Sequence, residues 1–237
     1  MSIISANLQA VEQAIAAAAE AAKRPRTAVQ LLAVSKTFPA EAVLDAMQTG
    51  QRAFGENYVQ EGVDKIAAVA AAALDAQLEW HFIGPIQSNK TRPIAENFAW
   101  VHAIDRLKIA QRLSEQRPPA LSPLNVCLQV NISGEASKSG VSPDQLPELA
   151  RQVAALPNLR LRGLMAIPEP ESDAAKQHLP FAQVRFLYEQ LQRDGLDLDT
   201  LSMGMSGDLA AAIAEGATIV RIGSAIFGAR TYHKEPA

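Results

Sequence analysis

A lysine closes an apolar run. In "LLAVSKTFP", residues 31–39, Leu31 to Val34 read as a buried strand and Lys36 stands at its end. An amine carried into a partly dry rim loses hydration for its charge, so its pKa falls. A neutral amine attacks an aldehyde and forms a Schiff base. The competing reading is a lysine that leaves the strand for water along its flexible stem.

Anion chemistry gathers near the other end of the chain. "SMGMSGDLAAAIAEGA", residues 202–217, turns through Gly and Ser and opens a helix near Asp208. Ser206 and the amides after it fall where helix N-termini bind phosphate. Asp208 is equally a good N-cap. "VRIGSAIFGAR", residues 220–230, adds Gly223, which permits close backbone approach, and Ser224, whose hydroxyl and amide can donate. Arg221 sits two residues before Gly223 in an otherwise apolar strand. A buried guanidinium needs a partner. Either a carboxylate on a neighbouring strand or the ring nitrogen of a ligand would serve.

An alternating pattern must position these groups. Strand-like runs at 29–35, 52–57, 79–84, 100–105, 125–133, 159–167, 200–206 and 219–228 interleave with helical patterns over 40–49, 57–75, 87–97, 106–116, 143–155, 174–194 and 208–216. Such alternation implies parallel pairing and right-handed crossovers. The pattern predicts an α/β fold, a single (β/α)8 TIM barrel with an extra N-terminal helix, as one domain over residues 1–237. An open doubly wound sheet is disfavoured, because no G-x-G-x-x-G turn follows the first strand. In a barrel the C-terminal ends of the strands form the active face, and the loops after strands seven and eight often bind phosphate. Lys36 then lies at the mouth, across from an anion site. An aldehyde-reactive amine facing a phosphate anchor describes pyridoxal 5'-phosphate.

Composition narrows the alternatives. The chain is 48% hydrophobic and 20% charged with a net charge of -3, ordinary for a globular protein and without a footprint for nucleic acid. Lys23, Arg24 and Arg26 suit a helix C-terminus. Cys127, the single cysteine, excludes an intrachain disulfide and reads as a buried inert thiol. His81, His102, His178 and His233 lack ligand spacing, so no metal site is expected. No basic leader precedes the first helix, and no apolar run approaches the roughly 18 residues of a membrane span. A cytoplasmic location is expected. Glu56 is expected to help start the helix after strand two. Lys138, in the polar loop 134–140, reads as solvated, with a contact to phosphate or to cofactor in transit as the alternative.

"LLAVSKTFP", "FGENYVQE", "WHFIGPIQSNK", "VNISGEASKSG", "GLMAIPE" and "SMGMSGDLAAAIAEGATIVRIGSAIFGAR" together resemble the pyridoxal phosphate homeostasis proteins, in order and through the whole chain. The resemblance implies a barrel like the N-terminal barrel of bacterial alanine racemase, without that enzyme's C-terminal β-domain. It makes Lys36 the Schiff-base lysine, which holds the cofactor as an internal aldimine. It puts Ser206, Gly223 and Ser224 at the phosphate and Arg221 at the pyridine nitrogen. Asn57 then faces the cofactor, and His81 and Met165 pack near its ring. A guanidinium on the ring nitrogen keeps that nitrogen unprotonated, so the ring is a weak electron sink. The implied function is intracellular cofactor homeostasis: binding, storage or delivery by a monomer, without robust catalysis and without catalytic residues. Apo-enzymes that need pyridoxal phosphate are the implied recipients.

Two other readings compete. An amino-acid racemase needs a base on each face of the bound substrate. In racemases the β-domain of a partner supplies one, and eight strands leave little of this chain for such a domain. A Schiff-base aldolase would use the lysine and a sugar phosphate without a cofactor.

Overall fold

Closure is made by the first and last strands. β1 (Gln30–Val34) pairs with β8 (Ile219–Ile222), with Gln30 opposite Ile219 and Ala33 opposite Ile222. Between them run β2 (Ala53–Glu56), β3 (Glu79–Phe82), β4 (Trp100–Ile104), β5 (Leu124–Gln129), β6 (Leu159–Met165) and β7 (Thr200–Ser202). Each is parallel to its neighbours, and the order around the barrel follows the sequence. The chain therefore forms the closed eight-stranded α/β barrel that the alternation predicts. This computed structural model describes residues 2–133 and 139–229. Lys138 and His233 lie outside the described residues.

The helices wrap the strands: α1 (Ile3–Ala21), α2 (Ala40–Gln48), α3 (Val59–Ala72), α4 (Thr91–Asn97), α5 (Leu107–Gln116), α6 (Leu146–Ala154), α7 (Ala174–Arg193), α8 (Leu209–Ala214) and α9 (Ser224–Phe227). α1 is the extra N-terminal helix. Its side chain cap comes from Ser2, and Leu8, Val11, Ile15 and Ala19 form its buried stripe at helical spacing. Arg24, just past α1, donates to the carbonyls of Ile213 and Ala217 and so fastens the helix across the α8–β8 connection. None of the described helices is long and apolar enough to cross a membrane.

Strand pleating divides the apolar residues into two cores. Leu31, Ala33, Trp80, Phe82, Val101, Val220 and Ile222 join the core under the helices. Leu32, Ala53, Trp100, Cys127, Met165 and Ile219 form a smaller cluster inside the barrel. His81 alternates with Trp80 and Phe82, and Arg221 with Val220 and Ile222, so both polar side chains point inward.

Strand ends differ from the pattern: β5 stops at Gln129 and β7 at Ser202, each four residues short of its run. The run 219–228 reads as a strand, but the strand stops at Ile222 and α9 follows. Periodicity does not separate strand from helix in so short an apolar run. Ile226 buries itself from a helical turn instead.

Candidate functional site

Lys36 stands in the turn after β1, half-buried at the C-terminal rim. Both of its neighbours are clamped. Thr37 holds a left-handed φ of 68°, an uncommon conformation for a β-branched residue, and its N–H donates to Glu61 Oε1 at 2.5 Å. Ser35 Oγ donates to Glu56 Oε1 at 2.7 Å, and the Ser35 carbonyl accepts from Lys65 Nζ at 2.8 Å. Lys65 Nζ also reaches Glu56 Oε1 at 2.6 Å and Glu61 Oε1 at 3.0 Å. Glu56 is thus a buried strand residue and not a helix starter; α3 opens at Val59 with Glu61 in its first turn. Burial raises the Glu56 carboxyl above its usual range, more than Lys65 and Ser35 lower it.

The turns after β7 and β8 meet this rim. Gly223 follows β8 and packs against β1: a Cβ there would lie 3.2 Å from the Val34 carbonyl. Ser224 and Ala225 open α9, and the leading amides of a helix have no intrahelical partner. Gly204, with φ 97°, lets the β7–α8 turn pack on α8, where a Cβ would come within 2.5 Å of the Ala212 Cβ. The Arg221 N–H donates to the Gly204 carbonyl at 2.9 Å, which joins the two turns. Ser206 is exposed on the first of them. Asp208 occupies the N-cap position of α8, but its side chain accepts from the Met205 N–H at 2.6 Å and braces the turn. The rings of Phe38 and Phe227, 5.2 Å apart, tie the Lys36 turn to α9.

Arg221 lies inside the barrel and is 5% exposed. Among the described residues no carboxylate meets it directly. Nη1 donates to the Ser202 carbonyl at 2.6 Å and to Ser202 Oγ at 2.9 Å, and Nη2 donates to the Ala166 carbonyl at 2.9 Å. A guanidinium has five N–H donors, so two have no partner among the described residues. Burial brings its pKa down to about 10, and the group stays charged at neutral pH.

Met165 is buried in the inner cluster, opposite Gln129 and Ser202 in the ladder. Asn57 follows β2, and its Oδ1 is buried without a hydrogen-bond partner among the described residues. Asn57, Ile83, Gln129, Asn131, Ile167 and Met205 are among the residues lining a mouth cavity of about 380 Å³. His81 is placed differently from the other expected site residues. It is fully buried, and its ring nitrogens meet His102 and Glu79, each at 2.9 Å. Neither nitrogen is left for a ligand. Among the described residues no group of three His, Cys, Asp or Glu side chains could hold a metal ion. Cys127 is fully buried and its thiol is pushed up to about 12 by burial.

Lys65 and Glu61 were assigned no site role from the sequence, and His102 entered only as a histidine without ligand spacing. The i, i+4 spacing of Glu61 and Lys65 was the one available signal. His102 carries no local signal at all.

A primary amine, a glycine-lined anion turn, an orphaned buried acceptor and a guanidinium with spare donors fit a planar aldehyde bearing a phosphate arm. Fold and site together define a barrel of the alanine racemase N-terminal type, and the family model described as "Alanine racemase, N-terminal domain" matches residues 6–231. A protein of Pseudomonas aeruginosa is 64% identical over 232 residues, 98% of each chain, and one of Vibrio cholerae is 58% identical over 234 residues, 99% of each. Both are named pyridoxal phosphate homeostasis protein, and this chain belongs to their family. Among solved structures it is similar to PipY of Synechococcus elongatus PCC7942 with PLP bound, at 37% identity and a TM-score of 0.82, covering 95% of this chain and 100% of that one.

Proposed function

We propose that this chain binds pyridoxal 5'-phosphate at the barrel mouth, covalently through Lys36, and serves cofactor homeostasis as a carrier. The observation that carries this reading is the packing of Gly223 against Val34, which sets the anion turns beside the Lys36 turn. When bound, the group supplies an electrophilic carbonyl; the Lys36 nitrogen takes its carbon and one water leaves. Ser206, Ser224 and the amides around Gly223 hold the phosphate. One spare N–H donor of Arg221 meets the single lone pair of the ring nitrogen, and Asn57 and Met165 bound the ring. His81 acts through its neighbours.

The role is one of holding and releasing. The relatives are named for homeostasis, which favours a carrier over a racemase. Apo-enzymes that use pyridoxal phosphate are the recipients, and the carrier works as a cytoplasmic monomer. A titration of the purified protein with pyridoxal phosphate tests this: a visible absorption band should appear, and borohydride should abolish it. The loaded protein should then activate an apo-enzyme while producing no D-alanine from L-alanine in a chiral assay. Absence of the band overturns the cofactor; Lys36-dependent turnover at roughly 1–10³ per second replaces the carrier with a racemase.

A further inference from the structure

Five polar side chains from four strands form one unbroken chain inside the barrel. Arg221 Nη1 lies 2.9 Å from Ser202 Oγ, which lies 2.7 Å from His102 Nδ1. His102 Nε2 lies 2.9 Å from His81 Nδ1, and His81 Nε2 lies 2.9 Å from Glu79 Oε1. Arg221 is near the mouth end of β8, whereas Glu79 is the first residue of β3 and belongs to the opposite rim. The Glu79 side chain is 40% exposed; those between are buried.

The two ends determine the direction of every bond. Arg221 only donates and an ionised Glu79 only accepts. Glu79 is held down to about 2, chiefly by the bond from His81. Burial pushes both histidines below their ordinary value, His102 by far the more. A neutral imidazole donates from one nitrogen and accepts at the other. His81 must therefore donate from Nε2 and accept at Nδ1. His102 donates to it from Nε2 and accepts at Nδ1 from the Ser202 hydroxyl. Ser202 Oγ in turn accepts from Arg221. A protonated His81 would reverse the two inner bonds and leave the buried Ser202 hydroxyl proton with no acceptor.

We propose that His81 and His102 are positioning residues for Arg221: a neutral, one-directional relay that couples the guanidinium at the mouth to the Glu79 carboxylate at the far rim. The relay and two carbonyls together hold the guanidinium plane and leave two N–H donors for the ligand. Trp100 supports the relay from the side, stacked on His81 at 5.3 Å with an interplanar angle of 7°. The charged groups around it are Arg162, 4.6 Å over the Trp100 ring, and Asp199, which pairs with Arg162. This inference deepens the reading of Arg221 given above and rests on it for its bearing on the cofactor.

The test begins on the cofactor-free protein. Nitrogen-15 NMR of the histidine rings should show His81 and His102 as neutral Nε2–H tautomers at pH 7. An imidazolium, or an Nδ1–H tautomer at either residue, overturns the relay. Glu79→Gln removes the distant charge at a rim position that tolerates polar groups. It should shift the Arg221 Nε resonance and speed exchange of its N–H by about fivefold, the low end of coupling between separated sites. Glu79→Asp should restore part of both. Unmoved Arg221 signals overturn the coupling. Titration with pyridoxal phosphate forms the second arm: Glu79→Gln should weaken binding by about fivefold and move the visible band of the bound cofactor. If the parent fails to bind the cofactor, the carrier reading falls while the NMR result stands. If the parent binds and Glu79→Gln matches it in affinity and colour, the positioning role falls alone.

Discussion

Lys65 Nζ stands 2.6 Å from Glu56 Oε1 and 2.8 Å from the carbonyl of Ser35, the residue before Lys36. The Lys36 turn thus hangs on a buried ion pair whose side chains are 4% and 0% exposed. Removing one partner of such a pair leaves a desolvated charge behind and costs about 3–5 kcal/mol. Lys65→Met should lower the urea midpoint accordingly, with an unchanged denaturant slope. Replacing Glu56 by Leu in the same chain should recover much of the loss, because a buried pair exchanged for apolar groups is often neutral. A single variant as stable as the parent would mean that the pair does not brace the turn.

Lys36→Ala should abolish the borohydride-trapped adduct while leaving residual, non-covalent cofactor binding. The anion turns and Arg221 are separate from the amine and keep part of the affinity. Peptide mapping by mass spectrometry should find the parent's adduct on Lys36. An adduct mainly on another lysine would displace the assignment.

Ser206→Ala and Ser224→Ala should each weaken cofactor retention by about 1.5–3 kcal/mol, the range for a hydrogen bond to a charged group. Both residues are exposed, so the barrel should stay folded. Backbone amides continue to hold the anion in either variant. Equilibrium titration measures the effect, and unchanged affinity in the double variant would put the phosphate elsewhere.

Acid should unfold this barrel from a comparatively high pH. His81 and His102 are held neutral in the fold by burial, below their ordinary 6.5. In the unfolded chain they take up protons below that value. The unfolded state then binds more protons, so stability rises with pH there and is lost as pH falls below about 6.5. Glu56 runs the other way, since its raised pKa gives the folded state the extra proton above the usual carboxylate range. Glu79, held down to about 2, adds a further loss as pH falls below about 4.3. Urea unfolding at pH 7.5 and 5.5 should show the drop, and His102→Asn should flatten it. Equal stability at both pH values in the parent would mean that the buried imidazoles do not govern this window.

The placement of the candidate residues in the barrel was legible because its signals are local. Lys36 ends an aliphatic run, and a strand end in a barrel is a mouth position whatever the details of packing. Gly223 and Ser224 follow β8, and Ser206 follows β7, for the same reason. The alternation of strand and helix left few topologies that bury both faces, and the absence of a G-x-G-x-x-G turn favoured the barrel over an open sheet. The end of β8 was not legible: an apolar stretch of four residues suits α9 as well as a strand, and only packing of Ile226 decides.

The tertiary structure alone decided which inward-facing residues meet. Pleating makes His81, His102, Ser202 and Arg221 point inward, but their contacts depend on the stagger of the strands around the closed sheet. Ser202 and His102 are 100 positions apart and share a hydrogen bond. Glu56, expected to help start the helix after strand two, became the buried partner of Lys65 through the packing of α3 on β2. A sequence specifies the faces of its strands one by one through a period of two. The register between strands, and with it every contact across the barrel, exists only once the sheet has closed.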